Sequence, residues 1–368
     1  MKIVFLTACL EPGRDGVGDY TRRLAEECVR LGHSCMLMAL NDPFVKNRDF
    51  SVSKNSDQNL ILTARFSSQL TWNRRVELAR DFAHQNGAPD GFSLQFVSYG
   101  FHAKGFVPGF GKKIKAITGN IPCHLMFHET WIGVQAGASF QARVMGALQK
   151  FWVQKLVKDL QPQPIHTSNL VYLDLLERAG IRAQRLPLFG NIPRVSQNAD
   201  AWLFAKFNGK EGGIQKENRN SFWFFGFFAS LDKNWKPEPL LTQIAEAGKR
   251  FQRKPVLISV GNQGGGAPVW EEMEKQYQNQ FYFLKLGEQN SETISEVLNS
   301  LDFGIATTPS HLLGRSGSAI AMAEHGLPVL TSEAAVSFSD LKKQKPNSLC
   351  PEVTRLFLEE VSVSWRKL

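Results

Sequence analysis

At 368 residues, 43% of them hydrophobic, the chain holds enough material for two ordinary α/β domains, each burying its own sheet. A formal charge of +9 calls for an anionic partner or a generally basic surface, and does not choose among nucleotide phosphates, acidic lipid and nucleic acid. No apolar run approaches the roughly 20 residues of a membrane-spanning helix. The scattered Cys9, Cys28, Cys35, Cys123 and Cys350, with no C-x-x-C pair, argue against a disulfide frame or zinc site and for a reducing compartment.

The first apolar run, Ile3 to Ala8 before Cys9, resembles a short lipoprotein signal. It is shorter than the roughly 7 to 15 residues of a signal core, so a buried first strand explains it better. A helix is predicted over Asp19 to Leu31, where Tyr20, Leu24, Cys28 and Leu31 share one face. Strands follow at 35–40, 60–64, 92–99, 124–128 and 165–167, most of them separated by helical stretches. This alternation is the pattern of βαβ units covered on both faces, and it defines a first domain over residues 1–190.

Periodicity fades over residues 191–220, where Asn191-Ile192-Pro193 and the Gly-, Lys- and Asn-rich run from Asn208 predict a linker. The alternation restarts with strands at 222–227, 256–260, 281–286, 303–306 and 329–331, and helices near 239–251, 270–278, 293–300 and 318–325. These define a second domain over residues 221–335. The remainder, 336–368, reads as a tail whose stretch from Phe357 to Trp365 forms a last helix packing back on the body. Phe140 to Leu160 has Phe140, Val144, Ala147, Leu148 and Phe151 on one face beside Arg143 and Lys150, which suits an interfacial helix. Lys155 and Lys158 continue that face and suit a packed domain helix.

In parallel sheets ligands bind beyond the carboxyl ends of the strands, so the loops after strands carry the search for a site. Gly13-Arg14-Asp15-Gly16-Val17-Gly18 lies between the first strand and first helix, where its glycines serve close ligand approach or a plain tight turn. His128, at a strand end before Glu129, can orient a sugar hydroxyl or manage a proton, or be a satisfied structural residue; His124, inside the strand, reads as structural. Gly314-Arg315-Ser316-Gly317-Ser318 opens a helix ending at Ala323-Glu324-His325-Gly326-Leu327-Pro328. Its backbone N–H groups and Arg315 suit a diphosphate, and Glu324, about two turns on, suits the hydroxyls of a ribose. The same residues also fit a capped helix with a solvated glutamate.

Taken in this order, the three loops resemble the family 4 glycosyltransferases, retaining enzymes of the GT-B fold. That family carries two glutamates separated by seven residues before a Gly-x-Pro turn; here Ser316 stands at the first position and Glu324 at the second, followed by Gly326-Leu327-Pro328. Asp15 to His33, Leu94 to Gly100 with Lys104-Gly105, His128 and Leu188 to Pro193 match further pieces, so the resemblance covers about residues 1 to 335. A second departure follows the strand at 222–227, where many members place an arginine and then a lysine. The arginine is missing here, and Lys233, or failing that Lys236, takes the lysine's part.

The resemblance implies two Rossmann-like doubly wound domains facing each other across a cleft, the first binding an acceptor and the second a nucleoside-diphosphate sugar. It implies sugar transfer with retention of configuration, catalysed by His128 and Glu324, with Gly16, Lys233, Arg315, Ser316, Gly317 and Glu324 on the donor. No acidic D-x-D pair appears, so no divalent metal or other cofactor is expected beside the sugar nucleotide. The acceptor is a glycan, lipid-linked glycan or other molecule, and the protein is expected in the cytoplasm with peripheral contact to the inner membrane face. Nucleic acid is not expected as a partner, since no recognised binding module is present. The two departures favour a rival reading, a GT-B sugar-nucleotide epimerase or a binding protein without turnover.

Overall fold

The computed structural model describes residues 1–45, 50–54, 61–135, 137–195, 199–207, 213–332 and 350–366. They divide into two units, Met1–Pro187 with Cys350–Leu368, and Leu188–Leu349.

The first unit is built on strands β1 (Lys2–Thr7), β2 (Ser34–Asp42), β3 (Phe50–Lys54), β4 (Leu62–Ser67), β5 (Gly91–Phe96), β6 (Cys123–Phe127), β7 (Ile165–Thr167) and β8 (Gln184–Arg185). Their order is β3-β4-β2-β1-β5-β6-β7-β8, parallel throughout except that β3 runs antiparallel to β4 at the edge. The connections carry α1 (Gly16–Arg30), α2 (Trp72–Gln85), α3 (Ser98–Phe101), α4 (Phe110–Thr118), α5 (Phe140–Leu160) and α6 (Leu170–Arg178). The apolar run expected as a first strand is β1, whose Ile3, Val4, Phe5 and Leu6 are fully buried. That burial on both faces is why the run shows no polar alternation. The strand expected over 92–99 ends at Phe96, because Ser98 to Phe101 turn into α3.

The second unit contains α7 (Ala199–Phe207), β9 (Phe222–Phe228), α8 (Glu238–Arg250), β10 (Lys254–Val260), α9 (Ala267–Tyr277), β11 (Tyr282–Gly287), α10 (Ser291–Ser300), β12 (Phe303–Ile305), α11 (Gly317–Glu324) and β13 (Val329–Leu330). Its parallel sheet has the order β11-β10-β9-β12-β13, so the chain reverses direction across the sheet between β9 and β12. This is the doubly wound arrangement. Phe-Trp-Phe-Phe-Gly-Phe-Phe of β9 is buried along its whole length, and Phe225 stacks on Phe303 of the neighbouring strand with centroids 4.8 Å apart. Gly226 interrupts the aromatic run because a Cβ there would enter the Leu301 side chain.

The segment 191–220, expected as a linker, carries α7, and Leu203 and Phe207 of this helix are buried in the core of the second unit with Ile192 and Ile214. Composition misled here because the polar run after Phe207 masked the short apolar helix before it; residues 208–212 lie outside the described ones. Of the tail 336–368, residues 336–349 also lie outside them. The last helix is longer than its expected stretch: α12 (Cys350–Arg366) belongs to the first unit. Its Phe357 ring meets Phe5 at 5.9 Å, and Trp365 Nε1 donates to the Gln163 carbonyl at 2.9 Å. The Trp365 ring fills the space that a side chain on Gly91 would need. No helix among the described residues is long and apolar enough to cross a membrane.

Candidate active site

In the first unit the loop after β1 ends at Asp15, which caps α1 by accepting from the Val17 N–H at 3.0 Å. The glycines of this loop do different work. Gly13 has φ +70° and donates its N–H to the Asp19 carboxylate at 3.1 Å, while Gly18 packs so closely on the Cys9 carbonyl that a Cβ would collide with it. Gly16 is exposed, and nothing lies within 4 Å of where its Cβ would stand. Burial raises the pKa values of both Asp15 and Asp19. Two carboxyl groups thus already serve the N-terminus of α1, which works against a phosphate at that point.

His128 is the first residue beyond β6 and is buried. Its backbone N–H donates to the Phe96 carbonyl at 3.1 Å, its Nε2 lies 2.7 Å from Gln95 Oε1, and Tyr20 of α1 meets the ring edge-on at 5.1 Å. Burial pulls its pKa down to about 3, so the imidazole is neutral at physiological pH. Gln149 of α5, which the sequence reading passed over, ties the surrounding loops together. Its Oε1 accepts from the Ile132 N–H at 3.1 Å, and its Nε2 donates to Tyr99 Oη at 2.8 Å and to the Lys104 carbonyl at 2.9 Å. Gly105 is required beside it, since a Cβ would stand 2.7 Å from Gln149 Nε2. The Lys104-Gly105 pair was the one legible trace of this clamp.

In the second unit the loops after β9 and β12 meet at the point where the strand order reverses. The Asp232 N–H donates to Thr307 Oγ1 at 3.0 Å and joins them. Lys233 is exposed on the first of these loops, and Arg315 closes the second just before α11. Ser316 is the N-cap of α11: its Oγ accepts from the Ala319 N–H at 3.3 Å and lies 3.1 Å from Ser318 Oγ. A serine at this position therefore starts the helix. Gly317 follows with no neighbour within 4 Å of a Cβ position.

Glu324 ends α11 and is buried, so it is not the solvated glutamate of a plain capped helix. Gly190 packs against it; a Cβ there would stand 2.8 Å from Glu324 Oε2 and 2.7 Å from Ala321 Cα. His325 is structural, with Nδ1 donating to the Ala321 carbonyl at 2.7 Å and Nε2 2.8 Å from Ser295 Oγ. The expected donor residues Lys233, Arg315, Ser316, Gly317 and Glu324 thus belong to the second unit, and Gly16 and His128 to the first. Among the described residues no group of three or more His, Cys, Asp or Glu side chains is arranged to hold a metal ion.

Solved structures with this architecture decide the fold. HepE from Anabaena in complex with UDP and glucose is 14% identical, with 99% of this chain and 92% of that one covered and a TM-score of 0.56. Sucrose-phosphate synthase from Thermosynechococcus elongatus is 12% identical, over 99% and 91%, with a TM-score of 0.59. The chain carries the GT-B glycosyltransferase fold. WaaG, a glycosyltransferase involved in lipopolysaccharide biosynthesis, is 12% identical over 89% of this chain and 80% of its own, with a TM-score of 0.52. No protein-family model and no curated protein matches the sequence.

The depressed pKa of His128 couples to stability. The unfolded histidine takes up a proton near pH 6.5 and the folded one only near 3, so its contribution is complete above pH 6.5 and is lost as pH falls through the interval between the two. Urea unfolding of the wild type and His128→Gln should diverge in that interval by up to about 1.4 kcal/mol per pH unit, the wild type losing stability faster in acid. A difference that stays constant from pH 7 to pH 4.5 would show that His128 is not held neutral by burial.

Proposed function

We propose that the protein transfers a sugar from a nucleoside diphosphate to an acceptor hydroxyl with retention of configuration, as the resemblance to family 4 implies. The observation that carries this reading is in the second unit. Two loops bearing Lys233 and Arg315 meet where the strand order reverses, and they lead into a helix that starts at Ser316 and ends on the buried Glu324. Open parallel sheets bind nucleotides at such a reversal point. The N–H groups at the start of α11 and the Arg315 guanidinium accept the diphosphate, Lys233 adds charge as it departs, and the Glu324 carboxylate accepts both ribose hydroxyls. Stabilising the leaving diphosphate lets the bond from the anomeric carbon to the diphosphate oxygen break while the acceptor oxygen bonds to that carbon from the same face. The acceptor's hydroxyl proton passes to the departing diphosphate oxygen. No divalent metal takes part in this scheme, since the cationic side chains and helix N-terminus carry the charge that a metal would otherwise neutralise.

As that resemblance implies, His128 faces the sugar, and Gly16, with open space at its Cβ position, gives the donor a close backbone approach. A nucleotide sugar that raises the melting temperature identifies the donor. With that donor, Glu324→Gln should weaken calorimetric affinity for the nucleoside diphosphate by about 1–3 kcal/mol, the scale of charged hydrogen bonds to buried hydroxyls. His128→Ala should leave that affinity nearly intact and lower turnover by about 100-fold. Unchanged affinity in Glu324→Gln, or full activity in folded His128→Ala, would remove that residue from the site. Ser316 as a helix cap, and the absence of an arginine after β9, favour a second reading as an epimerase or a binding protein. Epimer formed without transfer, or binding without any turnover, would select it.

The acceptor side includes a membrane contact. Phe140 is 83% exposed, and Val144, Leu148 and Phe151 are exposed along the same face of α5 beside Arg143. An apolar stripe edged with positive charge fits an anionic interface. The protein should co-sediment with phosphatidylglycerol-rich vesicles at low salt and Phe140→Asp/Phe151→Asp should not; equal recovery of the two in the supernatant would refute the contact.

A further inference from the structure

A row of hydrogen-bonded side chains crosses the first unit from His128 to the C-terminal helix. His128 Nε2 meets Gln95 Oε1 at 2.7 Å, Gln95 Nε2 donates to Ser93 Oγ at 2.8 Å, and Ser93 Oγ lies 2.8 Å from His124 Nδ1. His124 Nε2 then lies 3.0 Å from His166 Nδ1, and His166 Nε2 meets the carboxylate of Glu360 on α12. Strand register produces the row. Ser93 pairs with His124 and Gln95 with Met126, while Met126 pairs with His166, so alternate positions on β5, β6 and β7 put these side chains on one face. Helix α12 lies on that face, with Phe357 edge-on to His124 at 5.1 Å. Ser93, Gln95, His124 and His166 are no more than 1% exposed, whereas the Glu360 side chain is 26% exposed and marks the outer end.

The chemistry of both ends sets the direction of every link. A carboxylate only accepts, so His166 donates from Nε2. At the other end Ser93 Oγ accepts from Gln95 Nε2 and its own hydroxyl points to His124 Nδ1, which leaves the single N–H of His124 on Nε2, directed at His166 Nδ1. Gln95 Oε1 in turn accepts from His128 Nε2–H. The orientation of the Gln95 amide, nitrogen towards Ser93 and oxygen towards His128, is the one that this direction requires. Burial holds both His124 and His128 in the neutral form that carries a single N–H.

We infer that Glu360 is a positioning residue: acting through four buried side chains, its carboxylate fixes His128 as the Nε2–H tautomer and turns Nδ1 into a hydrogen-bond acceptor. His128 Nδ1 has no hydrogen-bond partner among the described residues and is the atom left for a ligand hydroxyl. Its use on a sugar hydroxyl rests on the reading that His128 faces the sugar. With the opposite tautomer Nδ1 would carry a proton and repel a donating hydroxyl, so the consequence is a loss of turnover and not of nucleotide affinity.

Long-range ¹H–¹⁵N spectra of histidine-labelled full-length protein at neutral pH read each tautomer directly. The wild type should show His128 protonated at Nε2 and unprotonated at Nδ1. Glu360→Gln, whose amide can donate to His166, should shift His128 towards the Nδ1–H form, and Ser93→Ala, which cuts the row at its middle, should do so with Glu360 in place. Ser93→Ala carries the test if Glu360→Gln fails to fold. A wild-type His128 protonated at Nδ1, or a His128 tautomer unmoved in the folded variants, overturns the inference whatever their activity. Turnover reports separately on the reading beneath it. Glu360→Gln should lower turnover by about tenfold or more with nucleotide affinity unchanged; a shifted tautomer with full turnover keeps the row and removes His128 from contact with the sugar.

Discussion

Parallel pairing is the constraint on which everything else in this molecule depends. Strands that all run one way must be joined by crossovers, and crossovers cover both faces of the sheet, so the strand sequences become apolar throughout. The loops that follow the strands then gather at one edge. In the second unit this leaves β9 as an aromatic strand buried along its length and brings the loops of Lys233 and Arg315 together across the reversal between β9 and β12. In the first unit it sets His128 just past the end of β6, where Tyr20 of α1 meets its ring. Both groups of residues occupy carboxyl-end positions because the topology offers no other edge where loops follow strands.

The same sheet of the first unit carries polar side chains on a buried face, which is costly unless each is hydrogen-bonded. Ser93, Gln95, His124 and His166 satisfy one another, and Glu360 supplies the last acceptor from α12. The C-terminal helix is thus more than a cover over Phe5 and His124. It completes a polar row whose inner end is His128.

Much of the fold was legible because buried parallel strands write themselves as short apolar runs, as Ile3 to Ala8 and Phe222 to Phe227 do. The elements that escaped are those without such a run. Edge strand β3 alternates over only five residues, β8 has only two, and α7 was hidden by the polar composition beyond Phe207. The loops of Arg315 and His128 could be located from the glycines and strand ends around them. Ser316 stood open between a diphosphate contact and a helix cap, and its bond to Ala319 shows the cap. Gln95, Gln149 and Glu360 could not be read at all. Each acts on a partner distant in sequence, His166 and Glu360 being 194 residues apart, and only strand register and helix packing bring such pairs into contact.

A crystal structure with the nucleoside diphosphate bound tests the proposed site on α11 of the second unit. The diphosphate should lie on the N–H groups of Gly317 and Ser318 and on the Arg315 guanidinium, with the ribose hydroxyls on the Glu324 carboxylate. A nucleotide bound elsewhere on the chain, or a ribose out of reach of Glu324, would contradict it.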